Sequence, residues 1–201
     1  MKLLRPNRNL TPPGVCYVVG VDLAFSGPTG LALLQFADSL IANQITGLSL
    51  ITPPRHSKRK DGSDWRYLRD ILVFITCEFN AYLKNHNVPR EAIVAVEIPG
   101  GRRPYTESRN MFRLGLSVGA FVQNLEYRRP VILVDTTTIR YYLCNNVTAS
   151  KRMVRTRVKE LYGDIVDIPN DDNLVDAIAV AHAGFLLAVM RRAQQEAEDV
   201  R

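Results

Sequence analysis

The sequence predicts an α/β protein built on one mixed five-stranded sheet, three antiparallel strands followed by parallel ones, with helices on both faces. Three observations carry that expectation. Three short β-rich runs come first, with no helical stripe between them. Helical and strand patterns alternate after them. Two strongly apolar runs end abruptly in a carboxylate, Asp22 and Glu97, and the carboxyl ends of strands are where open α/β sheets bind ligands.

Each element has its own signal. Residues 1–14 are polar, basic and rich in Pro, and read as a flexible arm ahead of a single domain at 15–197. The run at 15–22 is β-branched and nearly all apolar, which suits a strand buried on both faces. Gly27-Pro28-Thr29-Gly30 makes a turn, and residues 31–36 and 44–51 read as two further strands of a meander. A basic, breaker-rich loop at 53–64 precedes a helix whose N-cap is Ser63 or Asp64. Trp65, Leu68, Leu72, Ile75, Phe79 and Tyr82 recur at spacings of three and four, forming one apolar stripe that stops at Asn87-Val88-Pro89.

Residues 92–97 form the next buried strand, followed by a loop at 99–105. A helix at 106–127 is apolar on more than one side, so it is expected to contribute to a dimer interface. Gly115 and Gly119 are expected to let another backbone approach it closely. A strand at 130–134 and a short helix at 137–144 come next. A basic helix at 150–162, capped by Ser150, and a long helix at 171–197 complete the chain.

Composition narrows the function. With 201 residues, 46% of them hydrophobic and 23% charged, the chain can bury one real core. It carries 26 Lys and Arg against 20 Asp and Glu, a net charge of +6, and twenty of those bases are Arg. Arg favours planar, bidentate recognition of anions, so phosphate-rich partners are indicated. No run of about 18 apolar residues occurs, so no membrane span is expected. The N-terminus lacks the apolar stretch of a secretory signal, and a cytoplasmic location is expected. Cys16, Cys77 and Cys144 are odd in number and far apart, which excludes a zinc ribbon or disulfide framework and suggests buried, reduced thiols.

The acidic residues carry the chemistry. A carboxylate that ends a run such as Val19-Gly20-Val21-Asp22 is costly to bury without a partner, most simply a cation. Asp172 and Asp176 are four apart and share a helical face, and Asn173 neighbours Asp176 at three. Asp171 and Asp172 also suit the positive end of a helix dipole, whereas Asp176 lies past the first turn and precedes the tight run Ala177-Ile178-Ala179-Val180-Ala181. Carboxylates from distant segments can converge on Mg²⁺, a hard cation that binds through oxygen ligands and substrate phosphate. No His or Cys cluster competes: His56 and His86 read as solvated surface, and His182 as packing.

Four segments resemble the RuvC family of Holliday junction resolvases, within the RNase H-like nuclease fold. Val19-Gly20-Val21-Asp22 with Thr29-Gly30 is similar to the family's first motif, and Val94-Ala95-Val96-Glu97 to its second. The region from Thr148-Ala149-Ser150-Lys151 to Val154 resembles its basic motif, and Asp172 through Asp176 its last. The resemblance implies a homodimeric endonuclease that cuts four-way DNA junctions by paired symmetrical nicks. It implies two Mg²⁺ ions per site, replaceable by Mn²⁺, and no small-molecule cofactor. Asp22, Glu97 and Asp176 would be metal ligands, and Lys151 would steady charge near the scissile phosphate. The commoner pattern has a ligand three residues before the final Asp, where this chain has Asn173; Asp172 is the favoured fourth ligand and Asn173 the alternative. Gly100-Gly101 stand where the family usually carries a junction-wedging aromatic, and Tyr105 is the nearest candidate.

Three basic clusters fit a DNA-binding face. Arg102, Arg103, Arg109 and Arg113 surround the second motif. Lys151, Arg152, Arg155, Arg157 and Lys159 cover the basic helix, and Arg55, Lys58, Arg59 and Lys60 lie in the loop before the first helix. Three rival functions compete: another RNase H-like nuclease acting on RNA–DNA hybrid or structured RNA, a non-catalytic junction-binding protein, and an actin-like kinase. The kinase class usually needs two such domains, for which 201 residues leave little room.

Overall fold

A computed structural model describes residues 14–24, 27–54, 64–98, 108–125 and 129–199. Its strands are β1 (Val15–Asp22), β2 (Thr29–Ala37), β3 (Gln44–Ile51), β4 (Ile93–Ile98) and β5 (Val131–Asp135). Its helices are α1 (Asp64–Asn85), α2 (Ser108–Gln123), α3 (Thr136–Cys144), α4 (Lys151–Tyr162) and α5 (Asp172–Asp199). The strands form one sheet in the order β3-β2-β1-β4-β5. β1 pairs antiparallel with β2, and β2 with β3, while β4 runs parallel to both β1 and β5. This is the mixed sheet expected from the sequence.

The side-chain period of two divides the core into two layers. Val18, Ala32, Leu34, Ala95 and Val134 face α3, α4 and α5. Their neighbours Val19, Val21, Leu31, Leu33, Val94 and Val96 face α1 and α2. β1 therefore reads as a continuous apolar run because both of its faces are covered. On α1 the apolar stripe runs through Ile71, Ile75, Phe79, Tyr82 and Leu83, all buried. Ile75, Phe79 and Tyr82 lie on the expected line, Leu72 is partly buried against the same core, and Ile71 and Leu83 widen the stripe.

One expectation is corrected, that of buried cysteines. Gly115 and Gly119 of α2 are exposed, and none of the described residues stands where a Cβ would be, so the expected approach of another backbone is left to a second chain. The close approaches lie elsewhere. A Cβ on Gly20 would run into the carbonyl of Ala177, and one on Gly30 into the carbonyl of Asn173. These two glycines sit on neighbouring strands and let the α5 backbone lie directly on the sheet. The cysteines are free but not buried: Cys77 is exposed, and Cys16 and Cys144 are half-buried. α5 is long and apolar enough by length and composition to cross a membrane. Two thirds (67%) of its apolar window is buried in the fold, because it serves as the central helix of one core layer.

Candidate active site

Register brings the two strand-end carboxylates together. Val21 of β1 is the partner of Val96 in the parallel strand β4, so the next residues, Asp22 at the end of β1 and Glu97 one before the end of β4, stand at the same height on adjacent strands. Parallel neighbours are about 4.8 Å apart, within reach of direct contact between carboxyls. Both lie on the face that carries Gly20 and Ala95, which is the face covered by α5. Because α5 is pressed onto Gly20 and Gly30, Asp176 hangs over the same sheet edge, and its charge acts on both strand-end acids. The loop leaving Asp22 is closed by Thr29, whose hydroxyl accepts from the Ala24 amide at 3.1 Å and donates to the Ala24 carbonyl at 3.2 Å.

The cluster is electrostatically uncomfortable. Burial pushes the Asp22 carboxyl up to about 8, with further contributions from Glu97 and Asp176. Burial also raises Glu97. The two carboxyls share a hydrogen bond that favours the proton on Asp22, as expected for acids too close to ionise together. Glu97 has one neutral partner in addition, the hydroxyl of Thr136, which donates to Oε1 at 2.9 Å. No sequence motif singled out Thr136. Its role depends on β5 lying beside β4, which register alone reveals.

α4 supplies the positive charge. Ser150 caps it, accepting from the Met153 amide, so Lys151 opens the helix beside the acids. Lys151 Nζ donates to Asp176 Oδ2 at 2.9 Å, and that bond raises the lysine above its ordinary value. One turn further on, Arg155 donates to Asp172 Oδ1 at 2.7 Å and to Asn170 Oδ1 at 2.9 Å. The two ion pairs tie α4 to α5 like rungs one turn apart. Asp172 is thereby committed to Arg155, with 65% of its side chain exposed. Asn173 is half-buried, and its backbone amide donates to Asp171 Oδ1, which caps α5.

The structure thus gathers Asp22, Glu97, Asp176 and Lys151, with Asp172 and Asn173 at the margin. Among the expected DNA contacts, Arg152 is exposed on α4 and Arg155 is half-buried in its clamp. Arg157 is tied to the Leu143 carbonyl and to Glu160. Lys58, Arg59, Lys60, Arg102, Arg103 and Tyr105 lie outside the described residues, as does the arm at 1–13. Arg109 and Arg113 fall within α2, but their side chains lie outside the described set. His182 is buried core, as expected, and bonded to Tyr162.

The donor set suits a hard divalent cation: the three acids gathered, Asp22, Glu97 and Asp176, offer only carboxylate oxygens, and a bound cation would relieve the burial and like charge that raise two of them. Among the described residues, no three His, Cys, Asp or Glu side chains are drawn tightly enough to cage an ion as they stand. Asp176 is turned to Lys151 instead.

Comparison with solved structures places the fold. The chain is similar to Thermus thermophilus RuvC, with a TM-score of 0.63 and 19% identity over 87% of this chain and 96% of that one. It is equally similar to T. thermophilus RuvC in complex with a Holliday junction substrate, with a TM-score of 0.64, 19% identity and the same coverage. No protein-family model matches the chain, and no curated protein matches it in sequence. At this identity the likeness shows the fold, which is the RNase H-like fold of RuvC.

Proposed function

We propose that the chain is a Mg²⁺-dependent endonuclease that resolves four-way DNA junctions by paired symmetrical nicks. One observation carries the reading: three carboxylates from β1, β4 and α5 meet at the strand ends of a RuvC fold, with Asp22 forced up to about 8 and a lysine at their edge. An arrangement so costly to folding is expected where a ligand relieves it.

Asp22, Glu97 and Asp176 would hold the metal, with Asp172 released from Arg155, or Asn173, as a fourth ligand. Mg²⁺ bound there supplies Lewis acidity toward the phosphodiester and its attacking water, a task that commonly takes two ions; Mn²⁺ serves as well. The protein's own groups do the rest. Asp22, at the centre of the cluster, would hold the cation as a carboxylate. Lys151, freed from Asp176, turns its ammonium to the phosphate and offsets charge that builds in the transition state. Arg152, Arg155 and the clusters around Lys58, Arg59, Lys60, Arg102, Arg103 and Arg109 bind flanking phosphates, and Tyr105 stacks at the branch point. Paired nicks need two sites, and the exposed stretch Gly115, Leu116 and Gly119 of α2 is the proposed seam of a homodimer. A monomer in sedimentation at micromolar concentration would overturn that assignment.

The test is a panel of a synthetic four-way junction, a matched linear duplex and an RNA–DNA hybrid, each with Mg²⁺ and with EDTA. Metal-dependent paired nicks confined to the junction are the expected result. Cleavage of the hybrid alone transfers the activity to another RNase H-like substrate. Tight junction binding with no cleavage of any substrate contradicts the enzyme.

A further inference from the structure

We infer that Thr136 is a positioning residue for Glu97: its hydroxyl holds one carboxylate oxygen and so fixes the orientation of the carboxylate that would ligate the metal. The inference rests on the proposed metal site and deepens it. Thr136 Oγ1 donates to Glu97 Oε1 at 2.9 Å across the β5–α3 junction. Glu97 pairs with Val134 in the ladder, and Val134 and Thr136 are two apart, so the strand period returns Thr136 to the Glu97 side as α3 begins.

The neighbouring residues show why the hydroxyl stays in place. Asp135, the last residue of β5, caps α3: its Oδ1 accepts from the amides of Thr137 at 2.8 Å and Thr138 at 3.0 Å. Its Oδ2 accepts from the Thr138 hydroxyl at 2.6 Å. Those bonds hold the Asp135 carboxyl below its ordinary value although partial burial opposes them. Asp135 is thus a third strand-end acid, beside Asp22 and Glu97, that is fully spent on its own helix. The same cap locks the backbone on either side of Thr136. Of three consecutive threonines, Thr137 and Thr138 serve the cap and Thr136 serves Glu97.

A carboxylate with one oxygen held by a fixed donor presents the other with defined direction. Partners of this kind, one step removed from a metal, commonly change metal affinity by about 10- to 100-fold when they are removed. Serine keeps the hydroxyl at this position, and valine keeps the shape without it.

The experiment titrates Mn²⁺ into the full chain by calorimetry for the wild type, Thr136→Val and Thr136→Ser, with circular dichroism and thermal midpoints recorded without metal. Thr136→Val is expected to bind Mn²⁺ about tenfold more weakly, with its spectrum unchanged, and Thr136→Ser to return to within about twofold of the wild type. Equal Mn²⁺ affinity in wild type and Thr136→Val overturns this inference and leaves the metal site standing. Equal weakening in the valine and serine variants also overturns it, because a lost methyl or a disturbed helix start would then be responsible. A wild type that binds no Mn²⁺ overturns the metal site and this inference with it.

Discussion

Asp176 and His182 lie six residues apart on α5, both turned into the molecule, and their surroundings are opposite in kind. His182 is 4% exposed and satisfied. The Tyr162 oxygen takes a hydrogen bond from the Ala42 backbone and shares a second with His182 Nδ1 at 2.5 Å. Burial holds the imidazole neutral, down to about 4. Phe36 stacks on Phe185 at 3.8 Å and stands beside the imidazole. Asp176 instead joins two acids that burial and like charge push upward, with one exposed lysine in partial compensation. The first cluster has its partners and reads as structure. The second lacks enough positive charge and reads as a site. Burial alone separates nothing here; the unmet electrostatic demand does.

That contrast can be broken most sharply at Asp22. Asp22→Asn keeps the shape and removes the charge, so junction cleavage should fall by at least about 10³-fold while junction affinity holds. Cleavage within tenfold of the wild type would remove Asp22 from the chemistry. Gly20→Ala attacks the seating of α5, on which both clusters depend. Its Cβ meets the Ala177 carbonyl, and neither backbone can give way cheaply. Stability should drop by about 3 kcal/mol or more, and metal binding with it, as read by urea denaturation and calorimetry.

Tyr162→Phe should affect only the satisfied cluster. It orphans His182 Nδ1 and the Ala42 amide, costing about 1–3 kcal/mol in urea denaturation while Mn²⁺ affinity stays at the wild-type value. The smallest effect is a pH slope. The His182 value is depressed in the fold, so its contribution to stability is complete above about 6.5 and is lost as pH falls toward 4. The thermal midpoint should decline over that window, and more weakly in His182→Asn; an identical decline in both proteins would assign it to other groups.

Much of this was legible in the chain. The β1–β3 meander shows in residue type alone, and the two-sided burial of β1 in its unbroken apolar run. The meeting of Asp22, Glu97, Asp176 and Lys151 follows from strand-end position, helical spacing and the resemblance to RuvC, though their roles remain those of the proposal. What stayed hidden depends on contacts between elements. Gly20 and Gly30 look like ordinary strand and turn residues until α5 is laid on them, while Gly115 and Gly119 look like contact residues and meet none of the described residues. Thr136 lies in a run of three threonines that nothing local distinguishes. The pairing of Asp172 with Arg155 depends on α4 and α5 lying side by side. The wider stripe of α1 reflects the same limit: spacing defines its line, and packing adds Ile71 and Leu83 to the buried set.

The central claim is that Asp22, Glu97 and Asp176 form a cluster awaiting a cation, and it can be tested without any DNA. Because the folded-state value of Asp22 lies near 8, above its ordinary value of 3.8, the metal-free protein is penalised as pH rises through that interval. The measurement is the thermal midpoint at pH 8.5 of wild type and Asp22→Asn, each with EDTA and with saturating Mg²⁺. The account predicts that Mg²⁺ raises the wild-type midpoint by several degrees. It also predicts that Asp22→Asn starts higher in EDTA and responds little to Mg²⁺. A wild type that does not respond to Mg²⁺, and that Asp22→Asn does not exceed in EDTA, would contradict it.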